Sequence, residues 1–194
     1  RDAHPSFGPE GKIVFTSDRD GDYELYVMDS DGSNLKQLTF NRELDYSPSW
    51  GPDGKIAYIY SPRQPDPCSS IRTIRPDGSE IQELSEFKGE ILIDKLTWGP
   101  SNRIACNVVL HKNSTILGGI YIFYLDNRKP VRISRANDGL VYSWSNDNIL
   151  YLTDDVPRGS QNHIFAVEED GTARRRVSTD ETNAIGPACG PDGR

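Results

Sequence analysis

The chain is poor in the residues that carry redox and metal chemistry. Its 194 residues include one Met, three Cys and three His. The cysteines, Cys68, Cys106 and Cys189, are an odd number with no CxxC spacing, which argues against zinc-ribbon and thioredoxin-type readings. At least one thiol is unpaired within the chain, and a disulfide involving Cys68 stays open. Apolar runs are short, and none approaches the ~20 residues of a membrane span. Base is outnumbered by acid, with 22 Lys and Arg against 29 Asp and Glu for a net charge of −7. That balance repels phosphate backbones and anionic headgroups, so neither nucleic acid nor membrane insertion is expected. The one dense basic run, Arg174-Arg175-Arg176, reads as the solvated face of an outer strand. A Gly-x-Ser-x-Gly nucleophile elbow is missing, as is a glycine-rich phosphate loop. No initiator Met or leader pattern precedes Arg1, which fits a trimmed or fragmentary product.

What the chain does have is an internal repeat. Phe7-Gly8-Pro9-Glu10-Gly11, Trp50-Gly51-Pro52-Asp53-Gly54 and Trp98-Gly99-Pro100-Ser101-Asn102 are copies of one segment. Trp144-Ser145-Asn146-Asp147 is a degenerate fourth copy, and Cys189-Gly190-Pro191-Asp192-Gly193 begins a fifth. Positions 8, 51, 99, 145 and 190 are spaced by 43, 48, 46 and 45 residues, the period of a four-stranded propeller blade. A second landmark moves in step. Asp31-Gly32, Asp77-Gly78, Asp126-Asn127 and Asp170-Gly171 each precede a hydrophobic–hydroxyl pair: Leu38-Thr39, Leu84-Ser85, Ile133-Ser134 and Val177-Ser178. The offset from the second turn residue to the hydrophobe is 6 in all four copies.

The turn chemistry divides each repeat into four strands. Proline presets φ and glycine takes the positive φ of a tight turn, and the runs between turns have strand composition. The expected second strands are Lys12–Asp18, Lys55–Ser61, Arg103–Val109 and Asn148–Asp154. Third strands are expected at Tyr23–Asp29, Ser70–Arg75, Gly119–Leu125 and His163–Glu168, and outer strands at Lys36–Phe40, Ile81–Ser85, Pro130–Ser134 and Arg174–Ser178. Inner strands end at Phe7, Trp50, Trp98, Trp144 and Cys189. The predicted fold is therefore all-β: a β-propeller of four-stranded antiparallel blades at about 4–47, 48–94, 95–139 and 140–184, plus the start of a fifth at 185–194. Helix content should be near zero. An aromatic that recurs at one repeat position is read as a plug between blades rather than as a stacking platform for a ligand.

Pro48-Ser49-Trp50-Gly51-Pro52-Asp53-Gly54-Lys55-Ile56 resembles the repeat of TolB-like propellers, also called PD40 or WD40-like repeats. The stretch from Phe15 to Thr39 resembles it as closely, and the likeness extends over essentially the whole chain. It implies a propeller found in periplasmic scaffold proteins, in prolyl-oligopeptidase-like enzymes and in oligogalacturonate lyases. Propellers of this family close with six to eight blades. The expected completion is further chain or a homodimer that makes an eight-bladed ring.

Function is expected on the face formed by the second-to-third-strand loops, which are the variable parts: Arg19–Asp22, Pro62–Ser69, Leu110–Gly118 and Asp155–Asn162. Variation on a rigid scaffold is where specificity is built. Asp18, Asp20, Asp22 and Glu24 place oxygen ligands at alternate positions, a pattern that suits calcium, although the Asp-Gly within it also reads as a plain hairpin turn. His111 and His163 lie near loops of adjacent blades, where Asp154 or Asp155 could join them at a metal. The lyases of the family use a histidine-rich metal site, and three histidines are few for one. Asn113-Ser114-Thr115 fits the glycosylation sequon. The leading expectation is a non-catalytic protein-interaction scaffold, periplasmic or extracellular, with a protein partner and no cofactor except a candidate calcium. The alternatives are the propeller of a larger peptidase or lyase, and a carbohydrate- or calcium-binding module.

Overall fold

The computed structural model describes residues 1–63, 68–84, 91–110, 118–126, 128–134, 138–145, 149–154, 162–179 and 187. Among the described residues sixteen strands form four antiparallel sheets of four. Blade one is β1 (Asp2–Phe7), β2 (Lys12–Ser17), β3 (Glu24–Asp29) and β4 (Lys36–Gln37). Blade two is β5 (Leu44–Trp50), β6 (Ile56–Ser61), β7 (Ser70–Ile74) and β8 (Gln82–Glu83). Blade three is β9 (Ile91–Gly99), β10 (Arg103–Leu110), β11 (Gly119–Tyr124) and β12 (Val131–Arg132). Blade four is β13 (Asp138–Trp144), β14 (Ile149–Asp154), β15 (Ile164–Glu168) and β16 (Arg175–Arg176). Among the described residues the only helical segment is a three-residue 3₁₀ turn at Pro9–Gly11.

Two boundaries differ from the sequence expectation. Inner strands begin earlier: Leu44–Ser47, assigned to blade one by the repeat register, pairs within blade two. The turn before β5 is a single Asx turn, Asn41 Oδ1 accepting from the Glu43 N–H (2.8 Å), without the Pro-Asp-Gly or Asp-Gly signature that marks the other turns. Outer strands keep only two ladder residues each. Short edges of this kind offer little backbone for stray pairing.

The six-residue offset has a mechanical meaning. The Asp-Gly turn is closed three times in the same way. The Gly32 N–H donates to Asp29 O (2.9 Å), Gly78 to Arg75 O (2.9 Å) and Gly171 to Glu168 O (2.9 Å), with φ of 86°, 86° and 81° at these glycines. The turn aspartate accepts from the N–H two residues on, at Ser33, Ser79 and Thr172. Six residues after the turn, the hydrophobe's N–H donates back to the third strand. The pairs are Leu38 to Leu25 O, Leu84 to Ile71 O, Ile133 to Ile120 O and Val177 to Ile164 O, at 2.8–2.9 Å. The hydroxyl that follows returns the bond: Thr39 Oγ1 accepts from the Leu25 N–H and Ser178 Oγ from the Ile164 N–H, both at 2.9 Å. The Leu38-Thr39 and Val177-Ser178 pairs are thus clasps that tie the outer strand to the third.

Blades are joined by tryptophan on glycine. Trp50, Trp98 and Trp144 are 7–8 % exposed and lie against Gly8, Gly51 and Gly99 of the preceding blade. A Cβ at those glycines would fall 2.2–2.6 Å from the indole, closer than any real contact, so the glycines are required by close approach. The plug reading of the aromatics therefore holds for the three tryptophans. Phe7, with no described blade packed on it, is 73 % exposed. Apolar clusters fill the three junctions, among them Val14, Leu25 and Ile56 between blades one and two, and Ile71, Ile93 and Cys106 between blades two and three. Burial pushes the Cys106 thiol well up, which makes it a packing residue and not a reactive one.

Candidate functional site

Each inner strand carries an irregularity two to four residues before its aromatic, and blade four has a second between Asp138 and Val141. Between Ala3↔Thr16 and Ser6↔Val14, two residues, His4 and Pro5, face Phe15 alone. In blade two, Ser47 and Pro48 face Tyr58 between Tyr46↔Ile59 and Ser49↔Ala57. In blade three Asp94 is extra, between Ile93↔Val108 and Lys95↔Asn107, and in blade four the ladder breaks at Tyr142, between Val141↔Leu152 and Ser143↔Tyr151. Proline has no N–H to give a ladder and tolerates such a position. His4 and Ser47 take φ of 51° and 53°. A bulge re-aims side chains, and His4, Asp94, Lys95 and Tyr142 lie at or beside these irregularities on the inner strands.

These four side chains act on one another across blades. Lys95 Nζ lies 3.7 Å from the Tyr142 ring centroid, within cation–π range. Burial and then the Lys95 charge hold the His4 imidazole below its ordinary value, and Asp94 opposes them. Burial pushes the Lys95 amine down against the pull of Asp94. Burial raises the Tyr142 phenol, with Asp94 adding to it. The set offers a cation, an aromatic face, a carboxylate and an imidazole, which is recognition chemistry. It has no nucleophile activated by a base. The inner margin is held rigid by serine latches: Ser6 Oγ accepts from the Trp50 N–H (3.1 Å), and Ser49 Oγ from the Trp98 N–H (2.9 Å).

A second polar assembly sits at the junction of blades one and two. Glu24 and Asp45 are 0 % and 1 % exposed. Asn41 holds both, its N–H donating to Glu24 Oε1 (2.6 Å) and its Nδ2 to Asp45 Oδ2 (2.7 Å). Asp45 and the neighbouring Thr39, Asn41 and Tyr58 line a groove of about 550 Å³ between the two blades.

The sequence-derived candidates fare unequally. Asp18 bonds the amino group of Arg1, Asp20 accepts from Gln37 Nε2 (2.6 Å), and Asp22 pairs with Arg63 (3.6 Å). Glu24 turns away into the core, so the four acids are not brought together. Among the described residues no group of three or more His, Cys, Asp or Glu converges in a metal-ligating arrangement. His163 Nδ1 lies 2.7 Å from the Arg176 guanidinium. His111, Asp155, Cys189 and the sequon at Asn113 lie outside the described residues, as does the side chain of Asp154. Arg175 and Arg176 form the exposed outer strand of blade four. The sequence reading missed His4, Asp94, Lys95 and Tyr142. Part of a signal was present: His4 and Lys95 stand three residues before the inner-strand aromatic, where the other strands have Ser47 and Val141, but Asp94 and Tyr142 fall outside that position.

Four-stranded antiparallel blades, joined inner strand to inner strand and sealed by tryptophan on glycine, define the class of this protein as a β-propeller. No protein-family model matches the chain. Similarity to individual proteins is more specific. Over 45 residues the chain is 44 % identical to the Tol-Pal system protein TolB of Geobacter sulfurreducens, covering 23 % of this chain and 10 % of that protein. It is 37 % identical over 83 residues to the Tol-Pal system protein TolB of Desulfosudis oleivorans, covering 42 % of this chain and 16 % of that protein. The crystal structure of TolB from Acinetobacter baumannii superposes on 100 % of this chain, with a TM-score of 0.73 and 18 % identity, over 47 % of its own length. Over these stretches the chain resembles TolB, and it shares the β-propeller fold of the TolB structure. The matched stretch is a tenth to a sixth of the length of these two relatives. Nothing in these likenesses supports closure of the ring by a homodimer. Among the described residues no helix is long and apolar enough to cross a membrane.

Proposed function

We propose that this chain is part of a non-catalytic, TolB-like interaction scaffold that works in the periplasm. It would present the inner-margin side chains His4, Asp94, Lys95 and Tyr142, with the adjoining loops, to a protein partner. The observation that carries this reading is the contrast within each inner strand. The serine latch recurs in the first two inner strands and the tryptophan plug in three, whereas the position three residues before the aromatic is His4, Ser47, Lys95 or Val141. Side chains that vary on an invariant frame are free to serve recognition. The similarity to Tol-Pal system proteins supports a partner within that system.

The test is a calorimetric titration of the intact protein with the Pal protein of the same organism. Binding is expected, and Lys95→Ala should weaken it about tenfold, the loss of ~1.4 kcal/mol typical of an interface anchor. Thermal stability should stay near that of the unsubstituted protein. A partner that fails to bind at all, or that binds equally well to Lys95→Ala and Tyr142→Ala, removes the proposed site.

A further inference from the structure

Glu24 and Asp45 belong to different blades and meet at their junction. Each uses one carboxylate oxygen on Asn41. The other two oxygens, Glu24 Oε2 and Asp45 Oδ1, are closed off from solvent and find no donor. Two ionised carboxylates cannot sit side by side in a dry junction, because neither charge is compensated. Both orphan oxygens are closed to solvent although Asp45 lines the groove. One proton shared by the two carboxyls would remove a charge and give an orphan oxygen a donor.

We propose that Glu24 and Asp45 share a single proton that fastens the interblade loop 40–43 to blade one, and that losing it as pH rises loosens this junction. The rest of the surroundings fits. Asp22, on the loop before β3, adds negative charge toward Glu24 and is itself paired with Arg63. From β7, Arg72 acts on Asp45 while committed to Glu83 at 3.0 Å and stacked on the Tyr60 ring. From β6, Tyr58 is a fully buried phenol that feels Asp45 and stays neutral, burial pushing it well up. Thr39 has its Oγ1 occupied as the acceptor for Leu25 N–H, and its hydroxyl proton acts on both acids. Glu43, in the same loop, accepts from the Arg63 N–H. No cation from any of these elements reaches the pair as a direct partner among the described residues.

Glu24 is raised to about 7, chiefly by burial, with Thr39 and Asn41 pulling it back down. Asp45 is raised as well, again by burial first. The two titrate as a pair. In the unfolded chain such groups titrate near ~4, so the folded state holds the proton more tightly. Stability from the shared proton is therefore full below about 4, falls as pH rises, and is gone above about 7.

The experiment follows the Asn41 backbone and side-chain N–H signals of the intact protein by NMR between pH 5 and 9, alongside thermal unfolding. Both signals should move together with a midpoint near 7, and the unfolding temperature should drop over the same interval. Glu24→Gln supplies a permanent donor, so it should abolish the titration and flatten the unfolding profile. Asp45→Asn should do the same and serves if Glu24→Gln fails to fold. Flat Asn41 signals in the unsubstituted protein, or an unaltered titration in either variant, overturn the proposal. So does recovery of low-pH stability at pH 8 on adding millimolar calcium, because the pair would then be a cation site.

Discussion

The junction of blades one and two and the junction of blades two and three are built on one plan with different polar contents. Both are closed by a tryptophan on a glycine, Trp50 on Gly8 and Trp98 on Gly51. A serine latch on the inner strand, Ser6 or Ser49, crosses each. The register identifies the equivalent positions. Glu24 pairs with Ser17, four residues after Ile13, and Ser70 pairs with Tyr60, four after Ile56. Asp45 pairs with Tyr60 and Ile93 with Val108, each four residues past the partner of the tryptophan. Where the first junction buries Glu24 against Asp45, the second buries Ser70 and Ile93, at 8 % and 0 % exposure. The repeat therefore does not need acids at this place. They belong to one junction, and their desolvation is a cost that the second junction never meets.

The largest effect should come from the element both junctions share. Trp50→Ala and Trp98→Ala each remove a buried indole and leave a cavity against glycine, at a cost of about 3–5 kcal/mol. Gly51→Ala should do comparable harm from the other side, because its methyl would meet the Trp98 ring at 2.6 Å. Chemical denaturation of the three variants checks this, and the two tryptophan variants should lose similar amounts. If Trp50→Ala alone were mild, the first junction would rest on its polar pair more than on its plug.

The next effect separates the junctions. The double substitution Glu24→Ser with Asp45→Ile gives the first junction the contents of the second. Replacing a buried ionic group with well-packed apolar residues is often neutral or stabilising by about 1–4 kcal/mol. The gain should be greatest above pH 7, where the native pair has lost its proton, and should shrink toward pH 5. Denaturant midpoints at pH 5, 7 and 8.5 would show it. A uniform gain at all three would mean that packing, not protonation, sets the difference.

The sequence exposes the parts of this architecture that depend on unusual backbone or close approach. Gly8, Gly51 and Gly99 recur because an indole lies on them, and the Asp-Gly turns recur because a positive φ closes them. The clasp at Leu38-Thr39 shows as a fixed offset because its two hydrogen bonds fix the distance from the turn. The start of the second inner strand is hidden, since the Asn41 turn before Leu44 lacks the repeated Asp-Gly chemistry of the other turns. The four bulge side chains are hidden for a different reason. Their value lies in being near one another across blades, and His4 stands 91 residues from Lys95. Glu24 misled the sequence reading: alternation with Asp18, Asp20 and Asp22 suggested a ligand set, while strand pairing turns it inward to Asp45 instead.

The smallest effect returns to what the two junctions hold in common. Ser6→Ala and Ser49→Ala each delete an acceptor for a tryptophan N–H of the next blade. Both donors lie in part-buried surroundings, so each substitution leaves a backbone N–H short of a partner at about 1 kcal/mol. The two losses should be nearly equal and unaffected by pH. Pairing Ser6→Ala with Glu24→Gln sharpens the comparison. The latch lies on the inner strand and the carboxyl pair on the loop side of the same junction. Additive losses would mean that the two ends of the junction open separately. A coupling above about 0.5 kcal/mol would mean that the blade interface opens as one unit, and that the proton at Glu24 is felt at the inner margin beside His4.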